Sequence, residues 1–201
     1  MGLGKSEVSW TVMVPDKVPM AKHPRWAVVG RSNVGKSSLL NTLTHPRKLF
    51  RTGSKPGVTI GLIAVTVQVA KPKEAVLELV DLPGWGFAKR TADEKKFWGP
   101  LSDALNEKSP KGLLWVMLGD PMRVPLDEEF EFMDWIGHQP FVFVFTKSDR
   151  IHENSRAEIE EKWQPVIDRA SEGPIWVSSQ NQEGLKALMT SARDFTRLHT
   201  T

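Results

Sequence analysis

Apolar and polar positions along this 201-residue chain fall into blocks whose period changes. Trp26–Gly30, Leu113–Gly119, Phe141–Thr146 and Ile175–Ser178 are short continuous apolar runs between polar or turn residues. Such runs suit strands covered on both faces, as in a parallel sheet. Leu62–Ala70 alternates instead, with Ile63, Val65, Val67 and Val69 against Ala64, Thr66 and Gln68. A turn sequence, Lys71-Pro72-Lys73-Glu74, separates it from a sixth run, Ala75–Asp81, so these two predict an antiparallel hairpin.

Between the strands the period lengthens to that of a helix. Leu126, Phe130, Met133 and Ile136 recur at helical spacing, and the acid of Asp127 to Glu131 suits the positive end of a helix dipole. Leu185, Leu188, Met189, Ala192 and Phe195 repeat the pattern near the C-terminus. Glu153–Ser171 predicts a third helix, kinked or broken at Pro165. Residues 1–23 hold Pro15 and Pro19 and no sustained period, and read as an N-terminal arm with a short strand near Trp10–Val14. Residues 24–201 read as one α/β domain: a six-stranded, mostly parallel sheet with one antiparallel hairpin and helices on both faces.

Composition narrows the chemistry. The chain has no cysteine and no tyrosine, which excludes disulfides, thiolate metal sites, Cys nucleophiles and Tyr acids or bases. Its apolar runs fall far short of the roughly 20 residues that cross a bilayer, and no secretory leader is visible; a cytoplasmic protein without membrane contact is expected. Net charge is +3, but unevenly placed. From Lys17 to Lys73 there are eleven Lys and Arg and no Asp or Glu, leaving −8 on the remainder. Such a stretch suits a polyanion, nucleotide phosphate or nucleic acid, or else a basic loop balanced by acidic helices.

Three motifs then carry the chemistry. Gly30-Arg31-Ser32-Asn33-Val34-Gly35-Lys36-Ser37 fits G-x-x-x-x-G-K-[ST] between an apolar strand and the helical Ser38–Leu43. Gly30 and Gly35 permit backbone closed to residues with a Cβ, the loop amides converge on phosphate oxygens, Lys36 reaches the β- and γ-phosphates and the Ser37 hydroxyl ligates Mg²⁺. Asp81-Leu82-Pro83-Gly84 ends a strand, where the carboxylate can hold Mg²⁺ directly or through water and the Gly84 amide can meet the γ-phosphate. Thr146-Lys147-Ser148-Asp149 follows another strand; the Asp149 carboxylate accepts two N–H donors that guanine offers and adenine does not, and the Lys147 stem can cover the base. The backbone of Val177-Ser178-Ser179 can approach guanine O6. Together these choose GTP and GDP over ATP.

With Lys55-Pro56-Gly57-Val58-Thr59 between the first two motifs, and Asp81 to Ala88 reading D-L-P-G-W-G-F-A, the chain resembles the EngB (YihA/YsxC) family of small GTPases. The resemblance runs from about Pro24 to Leu198. It implies a Ras-like G domain, GTP hydrolysis, a role in assembling the large ribosomal subunit, and effects on cell division. It places Thr59 in switch I as a Mg²⁺ ligand, with Gly57 and Val58 beside the nucleotide and Thr52 as the second candidate. Val58 and Ile60 replace the family's Arg and Gln, and Trp85 its Tyr. Asp120-Pro-Met-Arg123 blurs its D-x-R element.

Trp85 also stands where Ras-like enzymes carry a water-orienting Gln, so slow hydrolysis is expected. Asn33 resembles the residue through which potassium-dependent GTPases hold K⁺ near the phosphates, which makes K⁺ a candidate cofactor. The catalytic set expected is Lys36, Asn33, Thr59 and Gly84. The expected partner is the large ribosomal subunit or its rRNA, bound by a monomer that reads no DNA sequence. Two other classes are open: a nucleotide-regulated binding module with negligible hydrolysis, and an ATP-using P-loop kinase, against which Lys147 and Asp149 speak.

Overall fold

A computed structural model describes residues 5–44, 49–50, 62–68, 76–85 and 92–199, with the backbone alone over 92–98. Seven strands form one sheet: β1 (Ser6–Val12), β2 (Arg25–Gly30), β3 (Leu62–Gln68), β4 (Val76–Asp81), β5 (Leu113–Gly119), β6 (Phe141–Phe145) and β7 (Glu172–Trp176). Their order is β1-β3-β4-β2-β5-β6-β7. β3 pairs antiparallel with β4, as the alternation of Leu62–Ala70 predicts, and β2, β4, β5, β6 and β7 run parallel. The turn at Lys71–Glu74 lies outside the described residues.

The count is seven strands, not six, because the N-terminal segment adds β1 antiparallel to β3. A buried cation decides this. Arg25 is fully buried and paired with Glu78 on β4; it also donates to the carbonyls of Lys108 (3.0 Å) and Pro19 (2.8 Å). Trp10 of β1 lies over the same guanidinium, 5.3 Å from ring centroid to Cζ, and its indole N–H donates to Glu78 Oε1 at 2.9 Å. A charge-assisted cluster between distant segments has no period, so the sequence pattern does not show it.

The helices are α1 (Lys36–Leu43), α2 (Ala92–Glu107), α3 (Asp127–Ile136), α4 (Arg156–Ile167) and α5 (Leu185–Leu198). The pattern does not single out α2, because Gly99 and Pro100 sit in its middle and read as a break. α4 is shorter than the expected Glu153–Ser171 and begins after a 3₁₀ turn at Glu153–Ser155; Pro165 lies within it rather than ending it. Along β2 the side chains alternate between two cores. Trp26 and Val28 pack with Leu39, Leu40 and Leu43 of α1 and Leu188 and Met189 of α5. Ala27 and Val29 pack with Leu101 and Leu105 of α2, Phe132 and Met133 of α3 and Trp163 of α4. Both faces are covered, so the parallel strands are mainly apolar, with Arg25 of β2 and Glu78 of β4 paired to each other.

The strand registers bring the ends of the strands together. Gly30 lies level with Leu118, Val28 with Asp81, Gly119 with Phe145 and Phe145 with Trp176. Every loop that carries a motif therefore leaves the sheet at the same carboxyl edge, where open α/β sheets bind ligands.

Candidate nucleotide-binding site

The phosphate loop is built by two glycines at φ values that L side chains rarely adopt. Gly30 has φ 147°, and a Cβ there would stand 2.8 Å from the Leu118 carbonyl oxygen. Gly35, at φ 114°, starts α1. Asn33, exposed at the crown, is also left-handed, at φ 63°. The loop is clamped from below by Thr146, whose buried hydroxyl donates to the Val34 carbonyl at 2.6 Å. Lys36 is buried and folds back over the loop, donating to the carbonyls of Gly30 (3.0 Å) and Arg31 (3.2 Å). Ser38 stands on α1 with its side chain exposed.

Asp81 ends β4 beside the start of α1. The Ser37 hydroxyl donates to its Oδ2 at 2.9 Å, while its buried Oδ1 has no hydrogen-bond partner among the described residues. Burial raises its pKa from 3.8 to about 6, against the opposing pull of the Lys36 ammonium and the Ser37 hydroxyl. An orphaned buried carboxylate oxygen next to a serine hydroxyl is a donor set that a hard, oxygen-seeking cation such as Mg²⁺ satisfies. Among the described residues no cluster of three or more His, Cys, Asp or Glu could hold a metal by itself. The remaining ligands would come from phosphate and water, as Mg²⁺ prefers.

Leu82 is buried and hydrogen-bonded to the Val28 carbonyl at 3.3 Å, and Pro83 leads into Gly84. Gly84 lies directly on the phosphate loop: a Cβ there would be 2.7 Å from Lys36 Nζ and 2.9 Å from Ser32 N. The next residue, Trp85, is buried, and its carbonyl accepts the Ser32 N–H at 2.7 Å. Gly57, Val58 and Thr59 fall outside the described residues, as does Thr52.

Across the sheet edge, Lys147 takes left-handed backbone (φ 57°) and pairs with Asp120 at the end of β5, Nζ to Oδ2 2.7 Å. That pair anchors the tip of the lysine side chain at the end of β5. Ser178 donates from its hydroxyl to Asp149 Oδ1 at 2.5 Å, and the Ser178 Oγ itself accepts the amides of Gln180 (3.0 Å) and Asn181 (3.3 Å). Buried Val177 continues the chain from β7 and accepts the Ser148 amide at 3.1 Å; Ser179 follows Ser178 in the same loop. Ser148 donates to Glu183 at 2.6 Å, and Arg156 pairs with the same carboxylate at 2.5 Å. The Ser148 hydroxyl and the Arg156 guanidinium hold the Glu183 carboxyl below its ordinary range despite its desolvation. The two loops expected to read the base are thereby one hydrogen-bonded unit.

Sequence reasoning missed Glu183, Arg156 and Glu129. Glu129 stands at the third position of α3, and its Oε2 accepts the Leu126 N–H at 2.8 Å, closing a capping interaction. A helix-start pattern was the available signal; that this carboxylate is fully buried is visible only in the fold.

The profile of the 50S ribosome-binding GTPase family matches residues 25–170. A protein of Pelobacter propionicus, described as "probable GTP-binding protein EngB", is 33% identical over 92% of this chain and 90% of its own. The chain belongs to the EngB family. The EngB of Alkaliphilus metalliredigens is 32% identical over 96% of this chain and 92% of its own length. Among solved structures, Era in complex with MgGDPNP and nucleotides 1506–1542 of 16S ribosomal RNA is 25% identical, with TM-score 0.65 over 87% of this chain. Aquifex aeolicus Era bound to GDP.AlF4- gives TM-score 0.66 at 18% identity, again over 87% of this chain. The chain spans 57% of each of those Era chains. This EngB-family protein is a GTP-binding GTPase with a Ras-like G domain. None of its described helices is long and apolar enough to cross a membrane.

Proposed function

We propose that this EngB-family protein is a GTP-driven switch that binds the large ribosomal subunit during its assembly and thereby bears on cell division. The observation that carries the reading is the convergence of Lys36, Ser37, Asp81, Gly84 and Asp149 at one sheet edge, with Gly84 resting on the phosphate loop where a γ-phosphate would displace it. A chain segment displaced by one phosphate is what a nucleotide switch requires. The matching family's description names 50S ribosome binding, and the neighbouring Era structure contains ribosomal RNA. The stretch from Lys17 to Lys73, which spans the phosphate loop and the segment before Thr59, supplies positive charge for such a partner. The working form is a cytoplasmic monomer.

In hydrolysis Lys36 leaves the loop carbonyls for the β- and γ-phosphates, and the Gly84 amide meets the γ-phosphate. Ser37 and Asp81 would hold Mg²⁺, with Thr59 joining them in the GTP state, and such an ion would supply positive charge against the phosphates. Asp149, oriented by Ser178, accepts the guanine N–H groups, and the Lys147 stem covers the base. The Trp85 indole is turned into the core, so no amide orients the attacking water from that position, and unassisted turnover is slow. Asn33, at the loop crown, is the residue that would hold a K⁺ ion, which would supply further positive charge. Phosphate release at equal rates in KCl and NaCl at matched ionic strength would remove K⁺ from this reading.

Co-sedimentation with ribosomal subunits tests the function. Binding to the large subunit should be stronger with a non-hydrolysable GTP analogue than with GDP, and should weaken steeply between about 50 and 200 mM salt. Binding indifferent to both nucleotide and salt would refute it.

A further inference from the structure

Side chains from three segments meet behind the phosphate loop. Trp85 stacks on Phe132 of α3, ring centroids 5.0 Å apart and planes at 23°, and its indole N–H donates to Glu129 Oε1 at 3.2 Å. Glu129 is fully buried. Arg31, the first residue after Gly30, sends its guanidinium to the same site, with Nη1 3.7 Å from Glu129 Oε2 and 3.7 Å from Glu128 Oε2. That Nη1 is buried and, among the described residues, makes no hydrogen bond, so it faces the two carboxylates through charge. The backbones of Arg31 and Trp85 also pair as a short parallel bridge, through which the Ser32 amide donates to the Trp85 carbonyl.

This arrangement decides what fits in front of the loop. A γ-phosphate touched by both Lys36 and Gly84 must stand between them, yet Gly84 lies against the Lys36 ammonium. The Ser32 amide, which faces the same space, is spent on Trp85. GDP has no γ-phosphate to place in that space. The side chain that keeps Trp85, and hence Gly84, in this position is anchored by Glu129 on a helix that touches no phosphate.

We propose that Glu129 is a positioning residue which, by gripping the Trp85 indole beside Arg31, latches Gly84 and Trp85 into the place of the γ-phosphate, so that GTP binding must break the grip and GDP binding need not. The latch taxes GTP and not GDP, because a ligand shifts an equilibrium only by its differential affinity for the two states. This rests on the site taking both nucleotides, and the test separates the two claims.

The experiment measures dissociation constants of the full chain, with Mg²⁺, for GDP and for a non-hydrolysable GTP analogue. The variants are Trp85→Phe, which keeps the stack on Phe132 and removes the indole N–H, and Glu129→Gln, which keeps an acceptor and removes the charge. Each should raise the ratio of analogue affinity to GDP affinity about three- to tenfold, the scale of one ordinary net hydrogen bond. The double variant should raise it no further than the stronger single one, since both weaken the same contact. A merely structural role would weaken both nucleotides in proportion and leave the ratio unmoved in both variants; that result overturns the latch. A wild-type protein that binds neither nucleotide overturns the reading of the site, and the latch with it.

Discussion

Replacing Asp81 by Asn should stabilise the metal-free protein while spoiling its Mg²⁺ site. Burial raises the Asp81 pKa from 3.8 to about 6, so the folded chain holds this proton more tightly than the unfolded chain does. Below pH 3.8 both states are protonated and the group contributes nothing against folding. As pH rises from there through about 6, the unfolded state ionises first and the metal-free fold loses stability. Above that window the loss is complete. A difference of roughly two pKa units at 1.36 kcal/mol each amounts to about 3 kcal/mol. Asn carries no charge, and its side-chain oxygen still accepts the Ser37 hydroxyl. With about 2–4 °C per kcal/mol for a chain of this size, Asp81→Asn should raise Tm by about 6–12 °C at pH 7.5 in EDTA without nucleotide. The gain should vanish near pH 4. Thermal denaturation across pH 4–8 reads both, and Mg²⁺ with GDP should then stabilise the wild type more than the variant. A variant no more stable than wild type at pH 7.5, or a gain that does not change with pH, would refute the reasoning from burial.

Two further outcomes follow from buried contacts. Glu78→Leu strips Arg25 of its carboxylate while that guanidinium stays fully buried, which should cost about 3–5 kcal/mol in urea denaturation and free β1 to exchange amide hydrogens; a loss below about 1 kcal/mol would mean that the guanidinium finds water. Thr146→Val leaves the buried Val34 carbonyl without the hydroxyl that clamps the phosphate loop, and should cost about 1–3 kcal/mol. It should also speed GDP release, read by stopped-flow with a fluorescent GDP; unchanged release would show that the clamp does not hold the loop.

The chemistry of this protein was legible wherever it depends on local sequence. Gly30, Gly35, Lys36 and Ser37 announce a phosphate loop, because left-handed backbone and a following helix leave little choice of residue. The parallel strands are legible as apolar runs because both faces are covered, and the β3–β4 hairpin as an alternation with a turn. Other features depend on charges meeting across the chain. β1 joins the sheet through Trp10, Arg25 and Glu78, which are up to 68 residues apart. α2 folds through Gly99 and Pro100, a sequence that by itself reads as a break.

Trp85 marks the division most clearly. Its identity, read from the sequence alone, says that no amide can orient water from that position, because an indole lacks the acceptor. Which way the indole faces is decided only by tertiary structure. Phe132 offers a stacking surface and Glu129 a buried acceptor, both on a helix more than forty residues away in sequence. A side chain's chemistry travels with its letter, but burial and partner come from whichever segments the fold sets against it.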